Sequence, residues 1–356
     1  MPASLRASCH PLGAHRVVEP AGAMPQDAWR IDNTPIAGET EILCDVDALN
    51  IDSASFRQIC EECGSVAERI AGRIEAIVAE RGKQHNPITG SGGMFVGRVA
   101  DVGEALRAKI DLREGERIAS LVSLTLTPLQ IERVRGVDVA TGRIWIEGKA
   151  ILFESALWAR LPDDIDEGVA LAVLDVAGAP AQVRRLASRG ATVVVIGADG
   201  KSGMLSCAQA KAGVGPHGRV IGVVPSDATP SARLLSREGF VDELVVADAR
   251  NALATSERVA AAAPGLADLV VNCVNVHGTE LASILCARDG GIVYFFSMAT
   301  SFTAAALGAE GAGRDVTMII GNGYTKGHAE TALQTLREHP ALHEHFNATY
   351  QTRPMT

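Results

Sequence analysis

Residues 192–203 read TVVVIGADGKSG, an apolar run that ends in Gly197, Gly200 and Gly203 and passes into a helix-forming stretch from Ser202. Glycines in that position let the chain turn tightly and bring backbone N–H groups up to an anion at a helix N-terminus. The spacing is G-x-x-G-x-x-G, with Ala198 where the dinucleotide fingerprint has its second glycine. Taken alone, the loop fits a pyrophosphate cradle or a plain strand–helix turn. A nucleotide-triphosphate loop built on Gly200-Lys201-Ser202 fails, because Val195 stands where its first glycine belongs. The next apolar run, 219–224, is followed by Pro225-Ser226-Asp227, with Arg233 a turn into the following helix. Asp227 suits the ribose hydroxyl of NAD, whereas Ser226 and Arg233 suit the 2′-phosphate of NADP, so both nicotinamides stay open. The expected cofactor contacts are Gly197, Asp199, Gly200, Lys201, Ser202 and Gly203, with Ser226, Arg233, Val274 and Ser297.

Two other clusters could hold a metal. Cys60-Glu61-Glu62-Cys63 offers two thiolates where a structural zinc site takes four ligands. His339, His343 and His345 lie close together, but Pro340 interrupts the helix that i, i+4 ligation needs. No metal is expected at either. His277, after the fourth apolar run of the second half, suits cofactor packing or a helix start.

The elements that must position these groups fall into two halves. Residues 41–50, 94–102, 117–126 and 143–153 are strand candidates separated by turn residues, and a helical insert covers 56–82. Within the insert, Val66, Ile70, Ile74, Ile77 and Val78 share one helical face, Ser65 and Glu68 have capping-box spacing, and Gly82 follows the end. After Leu161-Pro162-Asp163-Asp164 the pattern changes. Strand-like runs at 191–197, 219–224, 243–247, 269–274, 292–297 and 316–321 alternate with helices at 202–212, 231–238, 251–262, 279–287 and 328–338. Strands apolar on both faces suit a parallel sheet covered by helices. The expected fold class is α/β: a mainly β N-terminal catalytic domain with a helical insert (1–160), a Rossmann doubly wound parallel six-stranded sheet (161–330), and a C-terminal helix and tail (331–356).

Composition narrows the function. Lys and Arg number 33 against 42 Asp and Glu, a net charge of −9, and aromatics make up 4%, so neither a basic phosphate-binding face nor a base-stacking platform is expected. Seven cysteines in 356 residues are too few and too scattered for a disulfide scaffold. Neither a signal-like leader nor an apolar run near 20 residues is present. The expectation is a cytoplasmic homo-oligomer acting on a small molecule, with no nucleic-acid or membrane partner.

The order of these landmarks resembles the medium-chain dehydrogenase/reductase superfamily over about residues 15–330. Zinc enzymes of that superfamily carry a cysteine ligand where DALNIDSASF places Asn50 and Asp52, and a Gly-His-Glu where this chain has Gly90-Ser91-Gly92. Their structural-zinc cysteines have no counterpart near residues 98–115. The resemblance therefore implies a zinc-free member. HRVVEP (15–20), LNIDSASF (49–56), AERGKQHNPITGSGGMFVG (79–97) and GNGYTKGHAE (321–330), with the 192–203 loop, resemble the L-erythro-3,5-diaminohexanoate dehydrogenase family. That resemblance implies NAD(P)-dependent oxidative deamination of a 3,5-diamino acid to 5-amino-3-oxohexanoate, ammonium and NAD(P)H, a step of lysine fermentation.

Such a substrate carries two ammonium groups and one carboxylate, and its C3 ammonium must lose a proton before hydride can leave. In the segments that line this superfamily's cleft, Asp52 is expected as base or ammonium anchor, or else as a cap through Ser53 or Ser55. His85 is expected as base or proton relay, or as a satisfied loop histidine. Glu61 and Glu62 would bind the distal ammonium or stand on a solvated face, and Lys83 would bind the carboxylate or be a solvated cation. Thr89 and Ser91 would hydrogen-bond substrate or belong to a glycine-rich bend. Competing functions are a zinc-free quinone or enoyl reductase, which uses an apolar cleft, and a non-catalytic nicotinamide-binding redox sensor.

Overall fold

The computed structural model describes residues 9–86, 92–263, 265–321 and 323–352. The chain divides into two compact units, with the break between Asp163 and Asp164.

In the first unit a small ribbon of β1 (Val17–Glu19) and β2 (Arg30–Ile31) precedes β3 (Ile42–Asn50), β4 (Met94–Val102), β5 (Arg117–Ser120), β6 (Leu129–Asp138), β7 (Arg143–Leu152) and β8 (Trp158–Arg160). The last six form an antiparallel sheet in the order β6-β7-β3-β4-β5-β8. Central β3 buries Ile42, Cys44 and Val46 in strict alternation; a register shift between Val46 and Ala48 then changes phase, so Ala48 and Leu49 are both buried. The strand expected over 117–126 is broken: β5 stops at Ser120, and Leu124–Leu126 forms a single 3-10 turn capped by Ser123.

The helical insert holds two helices, α1 (Ser53–Cys63) and α2 (Ala67–Arg81), before the short α3 (Glu104–Arg107). The expected Ser65–Glu68 capping box does not form. Gly64 and Ser65 take left-handed conformations to close α1, with φ of 64° and 55°, and the Ser65 N–H donates to Cys60 O at 2.8 Å. A residue in that conformation cannot serve as an extended N-cap, and Val66 takes the position with no side-chain bond. Helix α2 buries Ile70, Ile74, Ile77 and Val78 and stops at Gly82, whose φ of 72° lets the chain reverse.

The second unit opens with α4 (Glu167–Leu174) and α5 (Gly178–Leu186). There follow β9 (Thr192–Ile196), α6 (Lys201–Val214), β10 (Arg219–Val224), α7 (Pro230–Arg237), β11 (Glu243–Val246), α8 (Ala252–Ala262), β12 (Ala267–Asn272), α9 (Glu280–Cys286), β13 (Ala287–Phe295), α10 (Phe302–Ala312) and β14 (Val316–Ile320). The parallel sheet has the order β11-β10-β9-β12-β13-β14, which is the doubly wound arrangement expected from the sequence. Chain direction across the sheet reverses beside β9, and in such folds ligands bind outside the strand ends at that reversal. Two final helices, α11 (His328–Glu338) and α12 (Pro340–Tyr350), stay with this unit. Pro340 opens α12 at its first turn, where its missing N–H costs nothing. Thr352 then donates through its N–H to Asp166, the N-cap of α4, at 2.7 Å.

Candidate active site

In the second unit the three glycines of the β9–α6 loop do different jobs. Gly197 has a φ of 79°, and a Cβ there would fall 2.9 Å from Val274 Cγ2. A Cβ on Gly203 would fall 2.1 Å from Gly197 O, so this glycine is what lets α6 lie against the strand end. Above Gly200 the space is open, the nearest atom to a built Cβ being Gly197 O at 3.6 Å. Gly200 is also the N-cap of α6 and makes no side-chain bond to the first-turn N–H groups. An uncapped helix start facing free space fits a pyrophosphate.

The remaining expected cofactor contacts are placed as follows. Ser202 is buried and hydrogen-bonds the Cys273 thiol. Lys201 turns to Asp175, with Nζ 2.8 Å from Oδ2, so its charge is balanced inside the unit. Asp199 is partly enclosed and accepts from the Thr229 hydroxyl at the start of α7; burial pushes its carboxyl above the usual aspartate range. Ser226 accepts from the Ala228 N–H at 3.2 Å, and Arg233 is exposed. Val274 touches Gly197 and donates its N–H to Asn272 Oδ1, while Ser297 accepts from Ala299 N. His277 contacts Ala299 O through Nδ1 at 2.7 Å, which ties two loops at the strand ends.

In the first unit, close backbone packing gathers residues that are far apart in sequence. Gly93 has a φ of 88°, and a Cβ on it would lie 2.1 Å from Asn50 O and 2.8 Å from Asp52 N. A Cβ on Gly92 would lie 2.6 Å from Gln84 O and 3.0 Å from Thr125 N. The 3-10 turn closes the group: Leu124 N–H donates to Gly93 O and Gly92 N–H to Ser123 Oγ. The end of β3, residues 84–85, Gly92–Gly93 and the 123–125 turn are therefore one neighbourhood.

Two expected site residues stand in it. Asp52 is the N-cap of α1; Oδ1 accepts from Ser55 N–H at 3.0 Å and Oδ2 from the Ser55 hydroxyl at 2.6 Å. His85 hydrogen-bonds Thr125 Oγ1 through Nδ1. Burial first, then the charges of Arg81 and Lys83, push the His85 pKa down to about 4, so the ring is neutral at physiological pH.

Lys83 has a different task from the one expected. It is fully buried, and Nζ donates to Pro25 O at 2.5 Å and Gln26 O at 3.1 Å. An ammonium enclosed by two carbonyls is not a solvated cation waiting for a substrate carboxylate; burial and Arg81 lower its pKa to about 8. Glu61 and Glu62 face outward from α1, and Glu62 pairs with Arg73 of α2 at 3.1 Å. Thr89 and Ser91 lie outside the described residues. Sequence reasoning missed Thr125 and Gln84, because neither belongs to a spaced motif and only the fold brings them beside Gly92.

It also missed Cys9, His15 and Glu41, whose ligand atoms lie within 4.8 Å of one another. Glu41 is already gripped by the Arg16 guanidinium at 2.7 and 2.6 Å, by His15 at 2.9 Å and by Gly38 N–H at 2.7 Å. Burial alone would raise its carboxyl, but these bonds win and hold it down to about 2. The Arg16 guanidinium already occupies the carboxylate that a metal would need, so Glu41 belongs to a buried Arg16–Glu41 ion pair with His15 hydrogen-bonded beside it.

Comparison with known proteins gives a consistent picture. Residues 15–162 match the family described as L-erythro-3,5-diaminohexanoate dehydrogenase N-terminal domain. The chain is 54% identical to the L-erythro-3,5-diaminohexanoate dehydrogenase of Acetoanaerobium sticklandii and 51% identical to that of Fusobacterium nucleatum. Each alignment covers 95% of this chain and 98% of the relative. Among solved structures, a mycobacterial protein complexed with NADPH shares the fold, with a TM-score of 0.51 at 18% identity, covering 90% of this chain and 84% of that one.

Proposed function

The chain belongs to the L-erythro-3,5-diaminohexanoate dehydrogenase family, and from that premise we propose that this dehydrogenase oxidatively deaminates L-erythro-3,5-diaminohexanoate to 5-amino-3-oxohexanoate and ammonium in lysine fermentation. The observation that carries this reading is 54% identity along nearly the whole of both chains, which spans both units.

The nicotinamide, when bound, supplies the hydride acceptor, and the residues that would hold it are Gly197–Gly203 at the start of α6, with Asp199 toward the ribose. The first unit is assigned to the substrate. Asp52 is fixed in one orientation by Ser55 and is the anion for the ammonium at C3. His85, kept neutral and oriented by Thr125, is the group able to accept a proton from that nitrogen and to steer the water that releases ammonium. A quinone or enoyl reductase would need an apolar lining here, and the Asp52–Gln84–His85–Thr125 neighbourhood is polar.

A homo-oligomer is part of the same proposal. Met298, Phe302, Leu307 and Ile320 are 84%, 69%, 62% and 62% exposed, and β14 is an edge strand. Large apolar side chains beside an open edge favour association. Among the described residues no helix is long and apolar enough to cross a membrane.

The test mixes the full chain with synthetic L-erythro-3,5-diaminohexanoate and NAD or NADP. Reduced-nicotinamide absorbance should rise with ammonium released one for one. A lack of turnover with either nucleotide would overturn the reading.

A further inference from the structure

The loop that leaves β12 is held at both ends by one side chain. Buried Asn272 accepts from the Val274 N–H through Oδ1 at 3.0 Å, and its Nδ2 donates to the Thr279 and Ser283 hydroxyls, each at 2.9 Å. The loop that leaves β13 is tied to it twice. Glu280, in the first turn of α9, accepts from the Ser301 N–H at 2.7 Å, and His277 reaches Ala299 O through Nδ1 at 2.7 Å. A backbone carbonyl only accepts, so Nδ1 of His277 carries the proton and Nε2 keeps its lone pair. His277 is exposed, and among the described residues Nε2 has no hydrogen-bond partner. Both loops leave the carboxyl ends of parallel strands on the β12 side of the reversal beside β9. The first adjoins the glycine cradle, since a Cβ on Gly197 would fall 2.9 Å from Val274 Cγ2.

We propose that His277 Nε2 accepts a hydrogen bond from the carboxamide N–H of the bound nicotinamide and through it orients the ring. This contact rests on the nicotinamide-dependent reading above and deepens it, adding a residue outside the 197–203 loop. A dinucleotide anchored by its pyrophosphate at the start of α6 lays one nucleoside toward β10, the side of Asp199 and Thr229. Its nicotinamide then lies toward β12 and β13, where His277 stands. Three residues beyond Val274 the chain reaches at most ~11 Å, the scale of one ribose and its base. The carboxamide offers N–H donors, and the tautomer fixed by Ala299 offers the matching acceptor. Asn272 and Ala299 hold the imidazole in place before the nucleotide arrives, so little ordering entropy is lost on binding.

The experiment titrates the full-length protein calorimetrically with NAD and NADP, each against its 3-acetylpyridine analogue, in which a methyl group replaces the amide nitrogen. The wild type should bind the better natural nucleotide about 5-fold more tightly than its analogue, the ordinary worth of one hydrogen bond. His277→Asn keeps a donor for Ala299 O but has nothing at the Nε2 position. It should bind both ligands within twofold of each other, at an unchanged thermal midpoint. His277→Gln restores an acceptor there and should recover part of the preference. If His277→Asn keeps the full preference, His277 merely ties two loops and the inference is wrong. A wild type that does not discriminate, or that binds neither nucleotide, overturns it as well. If the preference depends on His277 but the protein does not oxidise 3,5-diaminohexanoate, the functional reading fails and the carboxamide contact stands.

Discussion

The His85 imidazole is hydrogen-bonded through Nδ1 to the hydroxyl of Thr125, 40 positions further along the chain. The bond fixes which ring nitrogen is left for other work, since Nε2 is the one not engaged with Thr125. It also couples the loop after α2 to the 3-10 turn that holds Gly92 and Gly93 in place.

A first prediction follows from the charge around that ring. With the His85 pKa lowered to about 4 by burial, Arg81 and Lys83, the acidic limb of kcat/KM should lie well below the ordinary histidine range. An unperturbed imidazole would place that limb near 6.5, so the burial of His85 moves it down. His85→Asn should remove the limb and lower kcat. A limb that stays near 7 in His85→Asn would assign the base elsewhere. Stability should move in a defined direction as well. Between about 4 and 6.5 the unfolded chain binds a proton at His85 that the folded chain does not. Stability should therefore fall as pH drops through that window, less steeply in the variant.

Gly200 and Gly203 separate binding from folding. A side chain at Gly200 meets only Gly197 O at 3.6 Å, so Gly200→Val should fold normally and lose nucleotide affinity at least ~100-fold by filling the space at the helix start. At Gly203 the same change places Cβ 2.1 Å from backbone and should prevent a soluble fold. Titrating nucleotide into Gly200→Val checks the first half; unchanged affinity means the pyrophosphate lies elsewhere.

How legible these parts were depends on how local their signals are. The β9–α6 loop could be read because an apolar run and three glycines sit within twelve residues. The Ser65–Glu68 spacing misled, since Gly64 and Ser65 are used to close α1, a helix whose own cap is Asp52. Helix α4 shows no amphipathic period because it is buried all round from Val169 to Leu174. Strand β6 was hidden by Glu132, Arg133 and Arg135, whose charges do not resemble a core strand although they line its outer side. Asp52 was readable both as a cap and as a site residue, and the structure shows the cap. Gln84 carries no motif at all: the packing of its carbonyl against Gly92 is visible only once the fold brings the two together.

Asp199 should set the choice of nucleotide. Its carboxylate reaches Thr229 and so lies between the phosphate loop and the end of β10, where an adenosine ribose sits in this fold. A carboxylate there accepts from a 2′-hydroxyl and repels a 2′-phosphate. NAD is therefore the expected cofactor, and Asp199→Ser should shift the NAD:NADP ratio of kcat/KM toward NADP by at least ~10-fold, helped by the exposed Arg233. An unchanged ratio would transfer the choice to Asp227.

The last prediction tests whether Asp52 does more than start a helix. Asparagine and aspartate are comparable N-caps, whereas alanine costs about 1 kcal/mol. Asp52→Asn should therefore keep its thermal midpoint, while Asp52→Ala should lose about 2–4 °C. Charge behaves differently from capping. A substrate with two ammonium groups needs an anion, and the amide of Asp52→Asn can neither neutralise an ammonium nor take a proton. Both variants should thus lose at least ~100-fold in kcat/KM with the diamino acid, the low end for removing a proton-transfer group, with nucleotide affinity nearly constant. Stability and activity then separate cleanly: one follows the cap, the other the charge. If Asp52→Asn stays within threefold of wild type while His85→Asn is inactive, the Ser55 bonds are the whole purpose of Asp52, and the proton transfer belongs to His85.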